Sequence, residues 1–160
     1  MNPAVLSSQT SLIIVYLASF LIWLMFAGLI ILWIIDGRVK KEIVLHALFA
    51  AFISWTASQM IKSILPIERP FHVNGRSPYT LTIPTGNSFP SSHAAIAFAL
   101  GFSIYLHNKK LGRIFLAVAV MVGLGRYFSN VHYIIDVAGG ALLGIFVSII
   151  VEKLHLHKLI

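Results

Sequence analysis

The residues of this chain best suited to catalysis lie between positions 62 and 136. They are three cations, two histidines and one carboxylate: Lys62, Arg69, Arg126, His93, His132 and Asp136. Cations that converge on one spot repel each other unless an anion joins them, and a guanidinium offers phosphate paired donors in a planar fork. The residue types therefore indicate a site for a phosphate-like oxyanion.

The spacing of His132 and Asp136 is i, i+4, which brings the two side chains to one face of a helix. A carboxylate bonded to one imidazole nitrogen fixes the tautomer and leaves the other nitrogen free to attack. Taken alone, the pair fits a structural hydrogen bond between helix ends equally well. His93 follows Pro90-Ser91-Ser92 at a predicted helix start, where backbone N–H groups favour an anion, and is placed to act as a general acid.

The composition indicates where these residues must be held. Of 160 residues, 58% are hydrophobic and 11% charged, whereas a soluble domain has about 45–50% apolar and about 25% charged residues. We expect one domain over residues 1–160, an all-α integral membrane helix bundle with no separate soluble module. The net charge of +7 lies in short clusters between apolar runs, which favours membrane orientation over nucleic-acid binding. The absence of cysteine excludes disulfides and thiolate chemistry.

Five apolar segments approach the roughly 20 residues that a membrane span needs. The predicted spans are residues 11–35, 43–65, 91–107, 111–127 and 133–153, and the first is predicted to be retained rather than cleaved as a signal peptide. Residues 66–90 are rich in proline and glycine and are predicted to form a functional loop. Gly140 and Gly144, in G-x-x-x-G spacing, predict close helix packing.

The distribution of lysine and arginine predicts the orientation. Five spans place eight of these residues on the side of the C-terminus: Arg38, Lys40, Lys41, Lys109, Lys110, Arg113, Lys153 and Lys158. Four lie on the other side: Lys62, Arg69, Arg76 and Arg126. Because positive loops stay in the cytoplasm, the C-terminus is predicted to be cytoplasmic and the candidate site to face outside.

Three segments of the chain resemble the motifs of the type 2 phosphatidic acid phosphatase superfamily. They are Lys62 followed after six residues by Arg69-Pro70, then Pro90-Ser91-Ser92-His93, then Arg126 followed by His132 and Asp136. Their order and mutual spacing fit the family. Two positions depart from it, because Ser92 stands where the family has glycine and Gly125 where serine is usual. The family commonly has six spans, so the first is expected to be missing or reduced to residues 1–10.

The resemblance implies a role for each motif residue. His132 is expected to be the nucleophile that forms a phosphohistidine, Asp136 its orienting partner and His93 the general acid. The expected phosphate ligands are Lys62, Arg69 and Arg126, with Ser91 and the backbone near Ser92. The family's chemistry implies no metal and no cofactor.

The function implied is a metal-independent lipid phosphatase, with its substrate's tail in the bilayer. An outward-facing site in a bacterial plasma membrane favours undecaprenyl diphosphate, and phosphatidylglycerophosphate or phosphatidate is the alternative. A non-enzymatic anion carrier is an alternative of another class, although the cytoplasmic halves of the spans look too apolar for a polar path. Vanadium-dependent haloperoxidases share the anion pocket but are soluble. His46 and His107 are predicted to be packing or interfacial residues.

Overall fold

The computed structural model describes residues 3–35 and 38–154, and in this part of the chain every regular element is a helix. The elements are α1 (Pro3–Ser19), α2 (Leu21–Ile35), α3 (Arg38–Ile64), α4 (Pro70–Asn74), α5 (Ser92–His107), α6 (Lys109–Phe128) and α7 (Ile134–Lys153). The prediction of an all-α membrane helix bundle is confirmed. The ends of α3, α5, α6 and α7 fall within a few residues of the predicted ones. Of the residues used to predict the orientation, Lys158 lies outside the described ranges.

Helix α5 is the centre of the bundle and packs against α3, α6 and α7. Its four alanines are fully buried, and the backbone of α7 comes close to them. A Cβ added to Gly140 would lie 2.4 Å from the carbonyl oxygen of Ser91, and one added to Gly144 would lie 2.3 Å from that of Ala95. Small residues allow such contact between helices in a bilayer, so the predicted role of the G-x-x-x-G pair in packing is confirmed.

The predicted count of five spans is not confirmed. Helices α3, α6 and α7 are long and apolar enough to cross a membrane, and α1 with α2 forms a pair that counts as a fourth span if it is taken as one. Helix α5 is apolar but has only 16 residues.

Residues 11–35, predicted as one span, form part of α1 and all of α2, and the two helices meet at a bend of 45° at Phe20. The family's first span was expected to be missing or reduced to residues 1–10; in the structure the described residues from Pro3 onwards belong to α1, which continues to Ser19.

The segment 66–90 is a loop that contains one short helix. Pro70 occupies the first turn of α4, and Gly75 ends it with a left-handed φ of 67°, as proline and glycine commonly do. Reciprocal side-chain bonds of 2.8 and 3.1 Å join Asn74 to Asn130, in the turn after α6. The backbone N–H of Tyr79 donates to the carbonyl of Ser129 at 3.0 Å. The loop is thus fixed to the connection between α6 and α7.

Candidate active site

The predicted site residues meet at one end of the bundle. Lys62 is in the last turn of α3, Arg126 in the last turn of α6, and His93 and Asp136 in the first turns of α5 and α7. A cavity of about 210 Å³ lies between these helix ends and the loop, and six of the eight predicted residues line it: Lys62, Arg69, Ser92, His93, Arg126 and His132. Motifs that are far apart in the sequence therefore share one pocket.

Asp136 lies behind His132 and is fully buried. Its Oδ2 atom is 3.4 Å from His132 Nδ1 and accepts a hydrogen bond of 2.8 Å from the backbone N–H of Tyr133. The hydroxyl of Ser88 donates to the same oxygen. Because the acidic side chain caps the first turn of α7, the helix itself fixes the carboxylate against the imidazole.

The hydrogen bonds of His132 define its tautomer. Arg69 Nη1 lies 3.3 Å from His132 Nε2. A guanidinium can only donate, so Nε2 must carry the lone pair and Nδ1 the proton that faces Asp136. The nitrogen that points into the cavity is therefore the one able to attack.

The protonation of His132 agrees with this arrangement. The pKa of His132 is lowered from 6.5 to about 4, mainly by burial and further by Arg126, Arg69 and Lys62, while the hydrogen bond to Asp136 opposes the shift. The imidazole is consequently neutral at neutral pH, with its lone pair available.

Backbone carbonyls in the segments that connect the helices hold Lys62 and Arg69 in place. Lys62 Nζ donates to the carbonyls of Asn87 and Ser88 at 3.0 and 2.8 Å. Arg69 donates to three more carbonyls, those of Thr85, Gly86 and Val131, at 3.3, 2.9 and 3.1 Å. Carbonyls orient a cation without cancelling its charge. Among the described residues that build the site, Asp136 is the only carboxylate, so the cavity keeps an excess of positive charge.

Arg126 reaches the site through a contact with α1. Its Nη1 atom donates to the carbonyl of Ala18 at 2.9 Å, in the last turn of α1, where a cation is favourable for the helix dipole. Gly125 makes this contact possible, because a Cβ there would lie 2.6 Å from the carbonyl carbon of Leu17 and 2.7 Å from the nitrogen of Ala18. The glycine that departs from the family pattern is thus required by the close approach of α1.

The two serines of the second motif have different surroundings. Ser92 lines the cavity, and its hydroxyl accepts a hydrogen bond of 2.8 Å from Ser58. Ser91 is fully buried, does not line the cavity, and donates its backbone N–H to the carbonyl of Asp136 at 2.9 Å. The geometry therefore links Ser91 to α7 and leaves phosphate contact to Ser92.

Ser88 was missed by the sequence analysis. It bonds to Asp136 through its hydroxyl and to Lys62 through its carbonyl, and so joins the buried carboxylate to one of the cations that line the cavity. A serine within the turn-forming stretch Gly86-Asn87-Ser88 carries no local signal for such a role.

Comparison with known proteins agrees with the three motifs. Residues 43–158 match the model of the PAP2 superfamily. The chain is 31% identical to the bacitracin transport permease protein BcrC of Bacillus licheniformis over an alignment of 144 residues, which covers 90% of this chain and 71% of that protein. It is 24% identical over 121 residues to undecaprenyl-diphosphatase BcrC of Bacillus subtilis (strain 168), which covers 75% of this chain and 62% of the relative.

Two crystal structures have a similar fold. Aquifex aeolicus LpxE superposes with a TM-score of 0.73 at 27% identity, over 96% of this chain and 88% of that one. A transmembrane PAP2 type phosphatidylglycerolphosphate phosphatase from Bacillus subtilis gives a TM-score of 0.61 at 22% identity, over 96% of this chain and 78% of that one. The second likeness concerns the fold alone.

Proposed function

Because the chain belongs to the PAP2 superfamily and is an integral membrane phosphatase, we propose that it hydrolyses the terminal phosphate of undecaprenyl diphosphate through a phosphohistidine. The observation that carries the proposal is the position of His132 Nε2. This nitrogen, with its lone pair free of a proton, faces a cavity lined by Lys62, Arg69 and Arg126.

In the first step, His132 Nε2 attacks the terminal phosphorus and the bond to the bridging oxygen breaks. The imidazole then carries a positive charge, which Asp136 stabilises through the proton on Nδ1. His93, which faces the same cavity from α5, gives its proton to the departing oxygen of the lipid monophosphate. Lys62, Arg69 and Arg126 bind the three equatorial oxygens as charge develops on them.

In the second step, water hydrolyses the phosphohistidine. His93, now neutral, accepts a proton from the water as its oxygen bonds to phosphorus and the N–P bond breaks. His132 leaves with its lone pair restored on Nε2, and inorganic phosphate departs. The second step returns His93 to its protonated form, so the cycle closes without a further reactant.

The surroundings of the cavity support a lipid substrate. The pocket opens at the ends of membrane helices, and Trp55 and Ile96 belong to its lining. A phosphate in the pocket can therefore remain attached to a chain in the bilayer. The undecaprenyl diphosphate assignment rests on the similarity to a protein of that name. The orientation proposed is a bacterial plasma membrane with the site outside, supported by the eight-to-four distribution of basic residues.

An anion carrier would need a polar path beyond the cavity. Beneath the site, α5 and α7 are in backbone contact at Gly144 and Ala95, which leaves no room for one along this seam. The enzymatic function is therefore the better supported of the two.

The test is phosphate release by purified protein in detergent with EDTA, comparing undecaprenyl diphosphate, phosphatidylglycerophosphate and phosphatidate. We expect release from undecaprenyl diphosphate, loss of release in His132→Ala, and normal release in His72→Ala, which removes an exposed histidine outside the cavity. Preference for another of the lipids would replace the substrate assignment. No release from any lipid by folded protein would overturn the proposal.

A further inference from the structure

A cluster of side chains of the types that bind metal ions lies at the opposite end of the bundle from the phosphate site. His46 belongs to the N-terminal half of α3, His107 to the last turn of α5 and Glu152 to the last turn of α7. His46 is buried, His107 is exposed and Glu152 is half-buried. Lys62 lies sixteen positions after His46 in α3, which corresponds to about 24 Å along a helix. The cluster is therefore separate from the phosphate site.

The three donor atoms form a nearly regular triangle. His46 Nδ1 lies 3.3 Å from His107 Nε2, His107 Nε2 lies 3.0 Å from Glu152 Oε2, and His46 Nδ1 lies 3.6 Å from the same oxygen. Tetrahedral zinc, with bonds of about 2.0–2.1 Å, requires its ligand atoms to be about 3.3 Å apart. The three edges bracket that separation, so one ion can reach all three atoms without a change in the helices.

From this geometry we infer that His46, His107 and Glu152 form a binding site for a divalent transition metal, with zinc as the preferred ion. Two imidazoles and one carboxylate suit zinc, whereas magnesium and calcium prefer oxygen ligands throughout. The ligands must be a neutral Nδ1 on His46, a neutral Nε2 on His107 and the carboxylate. The partly exposed side of the cluster leaves the fourth position to water.

The ion would join the three helices whose other ends carry catalytic groups. Helix α3 carries Lys62, α5 carries His93 and α7 carries Asp136. A metal bound at the far end ties these helices together and stabilises the folded bundle by mass action. The role is structural, and the inference does not depend on the proposed phosphatase reaction.

The experiment uses the full chain, purified with a tag that contains no histidine, stripped with EDTA and titrated with zinc. We expect about one tightly bound zinc per chain by elemental analysis and a higher unfolding temperature with zinc than without it. His107→Gln and Glu152→Gln should each weaken zinc binding at least tenfold and remove the temperature shift. Both variants should keep their phosphatase activity in EDTA, since neither residue touches the phosphate site.

Two controls separate this site from other histidines. The double variant His155→Gln/His157→Gln removes residues outside the described ranges that follow Glu152 in the sequence, and it should bind zinc like the parent chain. Cobalt should give the strong visible absorption of a four-coordinate site in the parent chain and lose it in Glu152→Gln. Zinc binding lost only in the tail variant, or absent from the parent chain, would overturn the inference.

Discussion

Replacing Asp136 with asparagine separates two effects of this carboxylate, its hydrogen bonds and its charge. The backbone N–H of Tyr133 donates to Oδ2, and a donor cannot face an amide NH₂ group. In the Asp136→Asn variant, the amide oxygen must therefore occupy the place of Oδ2, where it still accepts from Tyr133, Ser88 and His132. The tautomer of His132 is kept, and the negative charge is removed.

The loss of charge can be given a magnitude. At 3.4 Å, a carboxylate and an imidazolium attract each other by about 5 kcal/mol at an effective dielectric constant of about 20. The neutral hydrogen bond that remains retains about 1 kcal/mol. The net loss in the step that forms the phosphohistidine is about 4 kcal/mol, which slows the reaction roughly a thousandfold.

The assay is single-turnover phosphate release. Elution from a size-exclusion column and thermal unfolding check that each variant is folded. His132→Ala gives the background, and Asp136→Ala, which removes the acceptor as well, should be slower than Asp136→Asn. A rate for Asp136→Asn within tenfold of the parent would refute the role of the charge. A rate equal to that of His132→Ala would refute the retained tautomer.

Two further predictions concern the pH dependence and the packing of α1. His132 attacks only when neutral, and since its pKa is lowered to about 4, the acid limb of kcat/KM should fall as the pH drops through about 4. An acid limb centred near 6.5 that persists in a His93 variant would contradict this. Gly125→Ser restores the residue usual in the family, yet it should lower both stability and activity, because its Cβ would lie 2.6 Å from the backbone of α1. Overpacking of this kind costs about 1–3 kcal/mol of folding stability. Activity should fall because a displaced α1 no longer supports Arg126. The measurements are the unfolding temperature and the turnover of the variant. Gly125→Ala provides a smaller perturbation of the same position.

The helices that position the site were predictable where polar residues or prolines bound an apolar run. Pro66 and the serines after Pro90 gave the ends of α3 and α5 to within two residues. The bend at Phe20 had no such signal, since residues 11–35 are uncharged and contain no proline. The bend coincides with the packing of α1 on α6, a contact between segments about a hundred residues apart, which local sequence cannot show.

The candidate site was predictable to the extent that its residues follow spaced motifs. The spacing of His132 and Asp136 predicted their contact, although His132 lies shortly before the first residue of α7 and does not share a helical turn with Asp136. Ser88 reaches Asp136 across 48 residues, and its position depends on how the loop folds back. The contact of His46 with His107 spans 61 residues, and it likewise depends on helix packing rather than on any motif.

The positive charges in the cavity determine which phosphates it can bind. Lys62, Arg69, Arg126 and the protonated His93 contribute four positive charges and Asp136 one negative charge, which leaves three to be balanced. A terminal phosphate carries about two negative charges near neutral pH, whereas a phosphodiester carries one and would leave one more buried charge unbalanced. The phospholipids that surround the protein are mostly diesters. Charge balance therefore disfavours the bulk lipid of the bilayer in this pocket and favours the rare lipid with a phosphate at its end.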